Sequence, residues 1–213
     1  MLRARLGLTV VAISLVAWTA GTAVAATAVS EDTDEDPGAG HSLLPFGAGL
    51  AVGFATHEAG HLTLDVAFDA HPGLEGVDFH GIPFFAVSHD PVTARQEALI
   101  SWAGFGVQHA ATEWILTREP DLRSRHAPFR KGILGFHVLC SAVYGVGAFG
   151  KTGPAQRDTR GIARSVDVDE RWIGALVVVP AALDTYRYFH PRSRWAPWTS
   201  RALKVGLAVL VLK

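Results

Sequence analysis

The chain has 213 residues and a formal net charge of −1 with neutral histidines. That is one domain's worth of sequence, and its near-neutral balance implies no polyanion partner, so nucleic acid is not expected. Hydrophobic residues make up 49% and charged residues 18%, against roughly 25% charged in soluble domains; with a mean hydropathy of +0.22, composition leans towards a membrane. The single cysteine, Cys140, excludes an internal disulfide and sits in an apolar run where a buried, inert thiol is expected.

In chain order, residues 1–25 read as a signal peptide or N-terminal anchor. Arg3 and Arg5 precede an apolar run that ends in small residues, and "AVA" at 23–25 fits a small-x-small cleavage site. Residues 26–41 contain "SEDTDEDPGAG", acidic and rich in turn formers, and read as a solvated linker. The remainder, 42–213, is expected to be a mainly α, multi-pass helical membrane bundle in an inner (cytoplasmic) membrane of bacterial type, with a metal site between helices. Apolar segments at 43–68, 94–116, 131–150, 170–189 and 200–213 supply the helices. The stretch 69–93 holds Pro72, Gly73, Gly76, Gly81, Pro83 and Pro91 and reads as loop, with a small β element around "VDFHGIPFFAV". Basic residues cluster between the helical segments, but their distribution and the signal imply opposite orientations, which stay open.

The first helical segment contains "GFATHEAGHLTLD" at 53–65, where His57, Glu58 and His61 interrupt small and apolar residues. On a helix, residues four apart share a face, so His57 and His61 can hold one metal ion while Glu58 lies beside a metal-bound water as general base. A catalytic site of this kind needs a third protein ligand and leaves the fourth position to water. Candidates are His71, His80, His89, His109, Glu113, His137, Asp184 and His190. Asp184 stands apart, because a carboxylate inside "VVVPAALDTYRYF" requires a partner. That partner is either a metal or Arg187, one turn along.

"HEAGH" in one apolar helix and "PAALD" in a later one resemble the site-2 protease family of intramembrane zinc metalloproteases. "RQEALISWAGFGVQ", between them, is similar to that family's "AGP…N" helix, with Ala103 and Gly104 matching. The resemblance spans residues 53 to 184. It implies one Zn2+ held by His57, His61 and Asp184, with Glu58 as catalytic base; Gln108 and His109 are expected beside them as substrate contacts. Several positions depart from the family pattern. Phe105 replaces the proline after "AG", Gln108 stands nearest the asparagine, and Thr185 replaces the glycine after the aspartate.

The expectation is therefore a zinc-dependent endopeptidase of the HExxH type. Its partners would be the lipid bilayer and a membrane protein or peptide substrate. The 77–87 segment would receive that substrate by strand addition. Rival expectations are a non-catalytic membrane scaffold, a di-iron oxygenase using "HEAGH" as a histidine box with "HAATE" at 109–113, and a soluble periplasmic helical zincin.

Overall fold

The computed structural model describes residues 39–79 and 82–213. The expected signal, most of the acidic linker and His80 lie outside them. The described chain runs α1 (Ala39–Ala67), β1 (Gly73–Phe79), β2 (Ile82–Ser88), α2 (Ala94–Arg118), α3 (Pro128–Gly150), α4 (Asp158–Ser165), α5 (Glu170–Phe189) and α6 (Trp195–Leu212). The mainly helical class and the β element at 69–93 are as expected. One helix is additional: α4 arises in a short, polar, basic stretch between the apolar segments.

Local chemistry sets the boundaries. Thr93 and Gln96 form a reciprocal capping box that starts α2. Pro128 opens α3, where its missing N–H is harmless, and Lys151 closes it in the left-handed region with φ 52°. Asp169 caps α5 by accepting a hydrogen bond from the Arg171 amide at 2.9 Å. The last helix starts at Trp195, ahead of the expected residue 200, because Pro197 falls in its first turn and is tolerated there.

α1 packs against both α2 and α3, α3 and α6 pack against α5, and the short α4 lies on α2. The strands pair antiparallel, from Gly73 opposite Ser88 to Phe79 opposite Ile82, as a two-stranded ribbon. A core of Leu64, Leu99, Ile100, Phe105, Ile162, Ile173, Val177 and Leu207 joins α1, α2, α4, α5 and α6.

Among the described helices, only α3 is long and apolar enough by composition to cross a membrane. Helix composition thus does not carry the multi-pass bundle expected from the sequence. The reason is visible inside: His57, His61, Gln108, His109, Asp184 and Lys204 are all buried, so α1, α2, α5 and α6 spend their interior faces on polar side chains.

Candidate metal centre

His57 and His61 lie one turn apart on α1, and their rings meet edge to face with centroids 4.9 Å apart. Each ring is oriented by a carbonyl oxygen. His61 Nδ1 donates to the Ile100 carbonyl at 2.7 Å, and His57 Nδ1 donates to Gln108 Oε1 at 3.2 Å. With both Nδ1–H groups engaged, both Nε2 atoms turn inward and converge on one atom, Asp158 Oδ2, at 3.3 and 3.4 Å. His57, His61 and Asp158 are all buried, and the three could hold a metal ion. Ligand atoms about 2.0–2.1 Å from a tetrahedral ion stand about 3.3–3.4 Å apart. The two His–Asp spacings match that value, and all three ligand atoms lie within 4.8 Å of one another. Metal-ligating histidines also characteristically donate their other ring N–H to a carbonyl or carboxylate, as both do here.

Space for the two rings comes from Gly104 on α2. A Cβ there would lie 2.5 Å from His61 Nε2 and 2.6 Å from His57 Nε2. The "AG" pair of the sequence thus acts sterically, by letting α2 approach the histidines. Phe105 is fully buried and walls the site, its ring centroid 5.5 Å from that of His57 and 5.0 Å from that of Tyr144.

Asp158 begins α4 and is held from both sides. Arg157 makes a two-pronged ion pair with Glu170 at 2.6 and 2.7 Å, and the Thr159 hydroxyl donates to the same carboxylate at 2.8 Å. Glu170 therefore fixes the residues before and after Asp158. Burial alone would raise the Asp158 carboxyl, but His61 and His57 beside it hold it below the ordinary carboxylate range. Glu58, half-buried, lies within electrostatic reach of His57, His61 and Asp158. Tyr144 on α3 contributes a hydroxyl close to Asp158.

Asp184, expected as the third ligand, sits elsewhere. It is fully buried and receives Lys204 Nζ at 2.6 Å, Ser200 Oγ at 2.7 Å and Arg187 Nη1 at 3.1 Å. The carboxylate that meets the two histidines belongs to Asp158. Sequence reasoning missed it because it followed apolar runs, whereas Asp158 is the only acid among the bases of residues 151–166. A signal was available in the spacing of Asp158, Thr159, Ile162 and Ala163, which form one buried helical face.

Gln108 and His109 were expected to contact substrate. Both are buried, and Gln108 is fully committed to His57, His137 and Ser141. His109 packs its ring near Phe105 and His137. The remaining candidates divide between surface and interior pairs. His71 contacts Asp69 and Asp90, His89 pairs with Glu97 at 3.3 Å, His190 stacks on Tyr186, and Glu113 binds Arg187, Arg201 and Lys204. No family model, curated protein or solved structure matches this chain.

Proposed function

We propose that the chain is a zinc-dependent hydrolase of peptide bonds working at a membrane, with His57, His61 and Asp158 as ligands and Glu58 as general base. The observation that carries this reading is the convergence of two outward-anchored histidines on one buried carboxylate, with Glu58 adjacent. A two-histidine, one-carboxylate donor set suits zinc and leaves a position for water. Zinc bound there would polarise a carbonyl and bring its water towards a pKa of about 7.

The chain's own residues supply the rest. Glu58 takes the proton of the attacking water and returns it to the leaving amine. Asp158 offers its carboxylate to balance the charge of the metal, and Tyr144 presents a hydroxyl close by that can donate to a developing oxyanion. The β1–β2 ribbon supplies unpaired strand edges on which an extended substrate can dock.

The membrane part of the proposal rests on the outer faces of the helices. Leu139, Val143 and Val146 are exposed along one face of α3, as are Val205 and Val209 on α6. Exposed Trp172, Trp195 and Trp198 lie near the starts of α5 and α6, where interfacial aromatics belong. An interior of charges under an apolar exterior suits lipid as solvent.

The test is zinc content and cleavage of a membrane-anchored peptide by purified protein in detergent. Wild type should hold one zinc per chain and cleave. Glu58→Gln should keep the zinc and lose cleavage, and Asp158→Ala should lose both. Wild type without zinc, or a fully active Glu58→Gln variant, would refute the proposal.

A further inference from the structure

The turn that joins α5 to α6 carries "HPRSRWAPWTSR" at 190–201, rich in arginine and tryptophan. Arg187 lies in the last turn of α5 and Arg194 stands at the cap of α6. Arg201 follows two turns on, so it shares a helical face with Arg194. All three arginines line one cleft of about 400 Å³, together with Thr117, His190 and Trp198. Every residue lining this cleft is basic or uncharged.

Two of the guanidinium groups are held from behind. Glu113 accepts Arg187 Nη1 and Arg201 Nε, each at 2.7 Å, and Arg201 Nη2 donates to the Thr117 hydroxyl at 2.9 Å. The Arg201 guanidinium also lies over the Trp198 ring, 5.5 Å from its centroid. These contacts order two long side chains before a ligand arrives, which lowers the cost of binding one. Arg194 has no hydrogen-bond or ion-pair partner among the described residues, so its fork of donors is free. Positive charge is in surplus here. Arg187, Arg201 and Lys204 share two carboxylates, Glu113 and Asp184, and Arg194 adds a further charge beside them.

A second cleft of about 480 Å³ adjoins the first and shares His190, Pro191 and Ser193 with it. Its walls include Tyr186, Phe189 and Trp195, all partly open to solvent. A cationic cleft beside an aromatic one matches an amphiphile with an anionic head and an apolar tail. Arginine forks suit phosphate oxygens, and exposed tryptophans suit the level of lipid headgroups.

We propose that this corner binds one anionic phospholipid, with its phosphate among Arg187, Arg194 and Arg201 and its chains starting on Tyr186, Phe189 and Trp195. The site is built from α2, α5 and α6 and uses none of the metal ligands. It extends the membrane part of the functional reading, and lipid offered in detergent tests it independently of zinc and of peptide cleavage.

The test is lipid capture by the full chain, immobilised in a neutral detergent and offered equal amounts of dioleoyl phosphatidylglycerol and dioleoyl phosphatidylcholine. Retained lipid is extracted and quantified by mass spectrometry. Wild type should retain phosphatidylglycerol over phosphatidylcholine by ~10-fold or more, the scale set by one charge-assisted hydrogen bond. Arg194→Gln removes a side chain without an intramolecular partner, so it should cut retention by about 10-fold with an unchanged thermal melt. Arg164→Gln removes the same charge from an exposed position on α4, outside the cleft, and should retain lipid as wild type does. Equal retention of the two lipids, or equal losses in the two variants, would overturn the proposal. Replacing chloride by sodium phosphate at matched ionic strength should leave the lipid in place. Its displacement would make the cleft a site for free phosphate and would overturn the assignment to lipid.

Discussion

Gly104→Ala gives the sharpest test of the metal centre. The added methyl would stand 2.5 Å from His61 Nε2 and 2.6 Å from His57 Nε2. Ordinary van der Waals contact begins near 3.4 Å, so the shortfall is 3.4 − 2.6, or about 0.8 Å, at His57, and about 0.9 Å at His61. Overpacking of this kind costs about 1–3 kcal/mol, while alanine regains roughly 1 kcal/mol of helix propensity over glycine in mid-helix. The fold should survive with a modest loss of stability. The site should not, because ligand positions tolerate only about 0.2 Å. Zinc affinity should fall by more than the ~10–100-fold expected for losing an outer partner. Chelator competition for zinc, read beside a thermal melt in chelator, separates the two effects. An alanine variant that binds zinc as tightly as wild type would refute the ligand assignment. A variant that fails to fold would refute the packing estimate.

Lys204→Met should destabilise by about 3–5 kcal/mol in a thermal or urea melt, because it strips the 2.6 Å partner from a fully buried carboxylate. Thr93→Ala should cost about 1 kcal/mol through loss of the capping box, with no change in zinc affinity. Removing zinc with a chelator should lower the wild-type melting temperature, corresponding to about 2.7 kcal/mol at free zinc one hundred times the dissociation constant. The Asp158→Ala melt should be indifferent to chelator, and an equal shift in both proteins would refute ligation by Asp158.

The sequence carried much of this architecture where hydrophobic periodicity was strong. The long helices fall on the apolar runs, and "HEAGH" brings both histidines to one face, as spacing alone requires. Asp184 was correctly singled out as a carboxylate needing a partner. Its partners on α6, Ser200 and Lys204, were hidden because a short apolar helix gives no sign of which polar side chains it will press inward. Asp158 was overlooked for a different reason. Its role comes from the docking of α4 on α2, and its clamp by Glu170 joins two elements across a turn. Gln108 shows a third limit: its place in the family-like helix was read correctly, but a motif position does not reveal that both ends of an amide are already engaged.

The position of Lys204 and Ser200 on α6 also bears on the order of assembly during synthesis. Both histidines, Asp158, Gln108 and His137 all precede α6 in the chain. A nascent chain therefore holds the complete ligand set before the counter-charges of Asp184 have been made. Until α6 docks, Asp184 keeps hydrogen bonds from Arg187 and from the Thr112 hydroxyl, with the His137 ring beside it. Closing of the last helix thus converts a loosely held carboxylate into a fixed one. In a translating chain Asp184 thus acquires its Lys204 partner only when α6 has packed, and Lys204 is made about 150 residues after His57.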